Sequence, residues 1–278
     1  MIRRAQPWLG TLVDITITAP DDDVVMAARA IDAAFAVVGL VHRLMSFHDA
    51  ASDVGLINQL ATGKDCRVDA HTARVLRCAL LLQEASGGLF DIACADALMA
   101  WGQLPVVGNG AAADATGGSM VVLAVAEDNR VIRLREGAID LGGIAKGYAV
   151  DQAVDTLQAA GVTAGIVNAG GDLRTWGAPG MLVAIRDPDA PRRAGRMLQL
   201  QDCALATSAG YFSRRQVDGV DTCALVDTRT GRPVLHGRSV SVMAPTCMLA
   251  DGLTKPIIAS VDPRHPVLAR FDATAFVL

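Results

Sequence analysis

Two kinds of apolar pattern share this chain in an order without strict alternation, and that order constrains the fold most. Residues 12–18 alternate apolar and polar side chains, which is typical of a half-buried strand. Residues 24–44 form a long apolar segment that predicts a helix. Further helices are predicted at about 71–85, 145–160 and 247–255, with short strands between them. Because strands and helices do not alternate regularly, we expect an α+β fold with a mixed, mostly antiparallel sheet flanked by helices.

The length of 278 residues permits one large domain or two small ones. The sequence shows no internal repeat, and we expect a single domain over residues 1–278. Residues 102–119 contain five Gly, one Pro, four Ala and one Asp, which predicts a surface loop or an insertion.

Charge and cysteine usage exclude several classes of protein. The formal net charge is −4, so we expect no broad basic surface and no nucleic-acid partner. The six cysteines form no CxxC motif, and none has zinc spacing with a histidine. We therefore expect small buried thiols in a reducing compartment rather than a disulfide framework or a zinc site.

The sequence also bears on membranes and location. No uninterrupted apolar run approaches the roughly 18 residues of a membrane span, because Asp, Arg or Gly breaks the longest ones. The basic residues near the start are not followed by the apolar region of a signal peptide. We expect no membrane span and a cytoplasmic location for the chain as given, or a periplasmic one if a leader was removed.

Lysine is rare in this chain, since only Lys64, Lys146 and Lys255 occur among 25 basic residues. Lys146 falls in the segment 140–151, where a strand end delivers Asp140, two glycines turn the chain and a helix begins. This arrangement brings backbone N–H groups, a helix N-terminus and an ammonium group together, which suits a phosphate. A lysine in the first turn also opposes the helix dipole and indicates an anionic partner. The segment is neither a Walker loop nor GxGxxG, and a plain glycine turn with a solvated lysine is the alternative.

Five further segments are weak signals when each is taken alone. In NAGGD, Gly170 and Gly171 follow an apolar strand, where the backbone can approach a ligand closely. On the last predicted helix, Asp251 shares a face with Thr254 and Lys255. The structural alternatives are a tight turn for the first and a surface ion pair for the second. The other three segments are equally compatible with helix ends and a strand-to-turn transition: Met45–Asp49, Gly87–Asp91 and Thr207–Tyr211.

Taken in order, these segments resemble the ApbE-type FAD:protein FMN transferase family over nearly the whole chain. The resemblance is carried by Gly10-Thr11, Met45 to Asn58, Gly87 to Asp91, Asp140 to Asp151, Asn168 to Asp172, Thr207 to Tyr211, Asp227 to Gly231 and Ala250 to Leu253. It implies an ApbE-like fold, FAD as substrate and Mg²⁺ as cofactor. It also implies transfer of the FMN moiety, through its phosphate, to a Thr or Ser hydroxyl of an acceptor flavoprotein with release of AMP.

The resemblance further implies roles for particular residues. Asp251 and Lys146 would be catalytic, and the metal would be held by the Gly143 carbonyl, the Asp251 carboxylate and Thr254; hard oxygen ligands suit Mg²⁺. The residues that would contact FAD are His48, Leu89, Phe90, Asp91, Asp140, Lys146, Gly170, Gly171 and Ser208.

The chain departs from the family pattern at several positions. His48 stands where the family usually has Tyr, and Lys255 where it usually has a metal-binding Thr, so Thr254 is the nearest hydroxyl ligand. Ala224 stands at a family histidine, and Thr228 replaces a proline after Asp227. These departures leave two alternatives open: an Mg²⁺-dependent FAD pyrophosphatase, with water as nucleophile, and an FAD-binding homologue without turnover.

Overall fold

A computed structural model describes residues 1–18, 24–107, 121–190, 192–211 and 213–278. Within these ranges the secondary structure follows in the order β1 (Ile2–Trp8), β2 (Thr11–Thr18), α1 (Val24–Met45), α2 (Asp53–Asn58), β3 (Asp65–Arg67), α3 (Ala70–Ala85), α4 (Ala95–Ala100), β4 (Leu123–Val125), β5 (Arg130–Arg133), α5 (Ala145–Ala159), β6 (Ala164–Ala169), β7 (Asp172–Trp176), β8 (Met181–Arg186), β9 (Ala194–Leu200), β10 (Ala204–Ala209), β11 (Arg215–Val217), β12 (Val220–Thr222), β13 (Val226–Asp227), β14 (Arg232–Pro233), β15 (Ser239–Ala244), α6 (Cys247–Ser260), α7 (Val267–Arg270) and β16 (Thr274–Val277).

The main sheet has seven strands in the order β1-β2-β6-β7-β10-β15-β16. Every neighbouring pair in it is antiparallel. The mostly antiparallel α+β architecture expected from the sequence is therefore confirmed. Smaller sheets are formed by β3-β5-β4 and by the hairpins β8-β9, β11-β12 and β13-β14.

Strand β2 shows how the alternating pattern builds the core. Its residues Val13, Ile15 and Ile17 are fully buried on one face, while the residues between them are only partly buried. Full burial of one such side chain is worth about 1.5–3 kcal/mol. A layer of helices covers this face: α5 packs on β6 and β7, α6 packs on β10 and β15, and α1 packs on α5.

The opposite face of the sheet is covered by the β8-β9 hairpin. Along β10, Ala204 and Ala206 belong to the main core, whereas Leu205 belongs to a second apolar cluster, because successive side chains of a strand point to opposite faces. This second cluster consists of Leu173, Ile185, Leu200 and Leu205. The hairpin thus adds an apolar wall on the side of the sheet away from the helices.

Helix α1 bears on the expectation that the chain has no membrane span. It is long and apolar enough, by length and composition, to cross a membrane. Its most buried side chains, which include Ile31, Val38 and Val41, instead belong to the main core. The same apolar character is what a core helix requires, and it is weak evidence for a membrane span or a signal sequence.

The end of the last predicted helix differs from the structure. Helix α6 continues through Pro256 to Ser260, beyond the predicted end at about residue 255. Proline has no N–H to donate to the carbonyl of Gly252, and burial of Ile257 and Ile258 in the core compensates for that loss. The expected loop at 102–119 lies outside the described residues from 108 onward. The single domain stays a prediction.

Helices α5 and α6 approach each other closely at Gly147. A Cβ atom on this residue would lie 2.2 Å from the carbonyl oxygen of Cys247 and 2.9 Å from the Cβ of Asp251. A glycine in a helix interior costs roughly 1 kcal/mol relative to alanine. The close approach explains why the helix keeps a glycine there.

We expect Gly147→Ala to lower the free energy of unfolding by about 3 kcal/mol, because overpacking against backbone outweighs the gain in helix propensity. Urea unfolding measures the change. Gly237→Ala is the matched control, since a Cβ there meets nothing within 4 Å, and its effect should stay below about 0.5 kcal/mol. A Gly147→Ala protein as stable as wild type would contradict the close approach.

Candidate active site

A cleft of about 850 Å³ lies where the β6-β7 turn, the start of α5 and the β8-β9 hairpin meet. Its size falls in the usual range for small-molecule sites. Nine of the residues predicted from the sequence line it, although they come from four separate segments: Leu89, Phe90, Asp91, Asp140, Gly143, Lys146, Gly170, Gly171 and Ser208. Lys255 and Ala224, two of the departures from the family pattern, line it as well.

Three predicted residues do not line the cleft. Asp251 and Thr254 are buried and lie beneath it, in contact with Lys146 and Ser208 respectively. His48 is exposed, and it lies near enough to Asp140 to oppose slightly the rise that burial causes in the pKa of that carboxyl. Its contact with FAD stays a prediction.

The β6-β7 turn brings backbone close to the cleft because it is built from glycines. Gly170 and Gly171 have φ values of 66° and 111°, which residues with a side chain rarely adopt. A Cβ on Gly170 would also lie 2.5 Å from the Oγ1 of Thr11. The Asn168 side chain accepts a hydrogen bond of 2.8 Å from the Gly171 N–H, which fixes the turn.

Asp140 is positioned from a distance by Asn58. The Asn58 amide donates to the carbonyl of Ile139 and accepts from its N–H, at 2.9 and 2.8 Å. This pair of bonds replaces a strand partner for the segment that delivers Asp140 to the cleft. Burial raises the pKa of the Asp140 carboxyl, and hydrogen bonds from the N–H groups of Gly142 and Leu141 partly oppose the shift.

Lys146 finds its anionic partners within the chain. Its Nζ lies 3.1 Å from Asp172, 3.4 Å from Asp251 and 3.1 Å from the carbonyl oxygen of Gly142. Burial alone would lower the pKa of Lys146, but the two carboxylates outweigh it and raise the pKa. Asp172 is thus a site residue that was not among the residues predicted from the sequence. It is, however, the last residue of the NAGGD segment, which the sequence analysis singled out.

Asp251 receives hydrogen bonds on both carboxylate oxygens. Its Oδ2 accepts from the Gly147 N–H at 3.1 Å as well as from Lys146, and its Oδ1 accepts from Lys255. Burial would raise the pKa of Asp251, but the two ammonium groups outweigh burial and hold the pKa below its usual range. Asp172 shows the opposite shift, because burial and the neighbouring Asp251 charge raise its pKa.

The predicted metal ligands do not form an open site for Mg²⁺. Both oxygens of Asp251 are bonded to N–H donors, and an ammonium group at Oδ1 repels a divalent cation. The Thr254 hydroxyl, fully buried, donates to the Asp251 carbonyl at 2.6 Å and lies 2.7 Å from the Ser208 hydroxyl. In the described ranges no group of three or more His, Cys, Asp or Glu side chains is arranged to hold a metal. These residues therefore do not fit the metal that the resemblance implied.

Among the residues that the structure describes, none of those lining the cleft is a histidine. Ala224 lines the cleft and has no acid or base. His236, the histidine that follows it in the chain, lies elsewhere, with its Nε2 2.9 Å from the carbonyl oxygen of Ile258. Of the carboxylic acids that line the cleft, Asp140 has a pKa raised by burial.

Comparisons with known proteins bear on the family and the fold. Residues 9–274 match the model of the ApbE family. A protein of Vibrio cholerae named FAD:protein FMN transferase is 29% identical over 245 residues, covering 82% of this chain and 72% of that one. The crystal structure of the ApbE protein from Thermotoga maritima has a TM-score of 0.85 at 25% identity, covering 99% of this chain and 93% of that one. The flavin transferase ApbE from Vibrio cholerae has a TM-score of 0.84 at 26% identity, covering 99% and 92%. The resemblance and the fold expected from it are confirmed.

The start of α6, which carries Asp251 and Lys255, is held by a carboxylate from α5. The buried Asp151 accepts hydrogen bonds from the N–H groups of Cys247 and Met248 at 2.9 and 2.8 Å. Its Oδ1 also pairs with Arg174 at 3.1 Å. This is an N-cap supplied from a neighbouring helix.

We expect Asp151→Ala to lower the free energy of unfolding by about 2 kcal/mol, because two helix N–H groups and Arg174 lose their acceptor. Asp155→Ala is the matched control: Asp155 pairs with the same Arg174 at 3.4 Å but is 54% exposed, so the loss should stay below about 1 kcal/mol. Urea unfolding of both variants measures the difference. Equal effects would argue against the capping role.

Proposed function

The chain belongs to the ApbE family, and on that premise we propose that it transfers the FMN moiety of FAD to an acceptor protein and releases AMP. The observation that carries the proposal is the convergence of four sequence segments, together with Lys255, on one cleft. That cleft combines glycine backbone, an apolar wall and two ammonium groups, which are the features that a flavin dinucleotide requires.

The cleft offers distinct surroundings to the parts of FAD. Apolar side chains from opposite sides suit the flavin and adenine rings, among them Leu89, Phe90, Leu173, Val183 and Ile185. Close to the pyrophosphate, the glycines of the 140–151 segment and of the β6-β7 turn let backbone N–H groups approach the oxygens. The ammonium groups of Lys146 and Lys255 supply positive charge there.

The transfer step balances without a further reactant. The hydroxyl oxygen of the acceptor attacks the phosphorus of the FMN half, and the bond from that phosphorus to the bridging oxygen breaks. AMP leaves with the bonding electron pair. The hydroxyl proton is released, and Asp140 is suited to accept it because burial raises the pKa of its carboxyl above that of an exposed Asp. Ala224 removes the imidazole that would otherwise compete for this role.

The alternatives are not favoured by the comparisons. The curated relative from Vibrio cholerae is named a transferase to protein, not a hydrolase. A Thr or Ser acceptor and a cytoplasmic location stay predictions. The apolar helix α1 is compatible with export as well.

We expect the purified chain, incubated with FAD and an acceptor of the Vibrio cholerae relative, to give a fluorescent protein band and one AMP for each flavin attached. Lys146→Met should slow labelling by about 10²–10³-fold, the usual loss on removal of a preorganised cation or donor. Lys146→Arg keeps the charge and should retain more activity than Lys146→Met. Lys64→Met, an exposed loop position, should leave the rate unchanged.

Urea unfolding of each variant separates lost chemistry from lost fold. Free FMN and AMP without a labelled band, under conditions where the acceptor is folded, would support the hydrolase instead. Bound FAD with no product at all would support a homologue without turnover. A folded Lys146→Met protein with wild-type labelling would contradict the role given to Lys146.

A further inference from the structure

We propose that the ammonium group of Lys255 takes the place of a divalent cation beside the FAD pyrophosphate, so that this chain binds FAD and transfers FMN without a divalent metal. The transfer half of this inference rests on the proposed function, whereas the FAD-binding half is independent of any acceptor. Three observations carry it: the engagement of Asp251, the donors of the two lysines and the packing around the Lys255 side chain.

The first observation is that Lys255 neutralises the buried cluster formed by Asp172, Asp251 and Lys146. Asp172 and Asp251 are almost fully buried, and Lys146 alone would leave the three groups with a formal charge of −1. A buried unpaired carboxylate is costly, so such a cluster would attract a cation from solvent. The Lys255 ammonium bonds Asp251 through Oδ1 and through the backbone oxygen at 3.0 Å, and brings the formal charge to zero. The attraction that would recruit a metal is thereby satisfied within the chain.

The second observation concerns which lysine can reach a ligand. An ammonium group has three N–H donors. Lys146 donates hydrogen bonds to the Gly142 carbonyl and to Asp251, and it also forms an ion pair with Asp172 at 3.1 Å. Lys255 uses two, both on Asp251, within the part of the chain that the structure describes. Its side chain is 19% exposed and lines the cleft, so its third donor is available to a phosphate oxygen.

The third observation is that the surrounding structure accommodates the Lys255 side chain. A Cβ on Gly143 would lie 3.2 Å from the Cε of Lys255, so the glycine lets the side chain pass beside the turn before α5. Gly143 is the residue whose carbonyl was expected to bind the metal. In this chain Gly143 therefore lies beside the Lys255 side chain. The ammonium group of Lys255 is held in place by this packing as well as by its hydrogen bonds to Asp251.

The chemistry needs no added reactant. Lys255 donates a hydrogen bond to a pyrophosphate oxygen while the new bond to phosphorus forms and the bond to AMP breaks. It stabilises the negative charge that develops on the leaving phosphate, as a cation does, but it exchanges no ligand and transfers no proton.

The test measures FAD affinity after divalent metals have been removed with EDTA, in the presence and absence of added MgCl₂. Quenching of flavin fluorescence reports binding without an acceptor. For wild type we expect Kd values within about twofold of each other in the two conditions. Lys255→Met should weaken binding by about tenfold or more in EDTA, because one charge-assisted hydrogen bond to the ligand is lost. Lys64→Met is the matched control and should bind like wild type.

A second variant keeps the experiment decisive if Lys255→Met unfolds. Lys255→Thr restores a hydroxyl and removes the ammonium, so its FAD affinity, and any labelling, should be low in EDTA and rise at least tenfold with MgCl₂. The proposal is overturned if wild type needs MgCl₂ to bind FAD, or if folded Lys255→Met binds as wild type does in EDTA. Labelling that is absent in every condition, with FAD binding still independent of metal, would reject the proposed function and leave the role of Lys255 intact.

Discussion

The buried carboxylate of Asp251 is the group on which the rest of the site depends. It joins α6 to α5 through the Gly147 N–H, and it joins both helices to the cleft through two ammonium groups. A carboxylate can be this deeply buried only if each of its oxygens is compensated by charge or hydrogen bonds. The requirement propagates outward: Gly147 must lack a side chain, the start of α6 must be held by Asp151, and Asp172 must pair with the same Lys146.

The fold was predictable from the sequence where a local hydrophobic pattern alone determines a strand or a helix. The alternation of β2 and the apolar length of α1 each determine a structure locally, since their buried faces repeat with the period of a strand or a helix. The continuation of α6 past Pro256 was not predictable, because core burial of the following residues outweighs a local preference. The sequence also did not predict that β8 and β9 cover the second face of the sheet. Only the assembled sheet shows that Leu205 points to that face and packs in a second apolar cluster.

The sequence predicted several residues that the fold brings to one cleft, but it did not predict how they pair. The glycine turn before Lys146 and the spacing of Asp251 and Lys255 are local patterns, and the structure places both lysines in the lining of the cleft. The roles of these residues stay predictions. The partner of Lys146, by contrast, lies 105 residues away in Asp251, and the sheet topology alone brings the two together. The i,i+4 pair of Asp251 and Lys255 was expected at the surface if it was only structural. It lies instead at the base of the cleft, with Asp251 at 1% exposure.

An ammonium group is an incomplete substitute for a divalent ion, and the surrounding structure bears on the difference. Lys255 carries one positive charge where Mg²⁺ would carry two, and it offers directed N–H donors rather than open coordination positions. Ile144 provides no side-chain cap for the first turn of α5, and the Gly147 N–H of that turn is bonded to the Asp251 carboxylate. The same carboxylate holds both ammonium groups. A cation fixed in this way needs little reorganisation when charge develops on the leaving phosphate, because the charge and the groups that hold it are already in place before FAD binds.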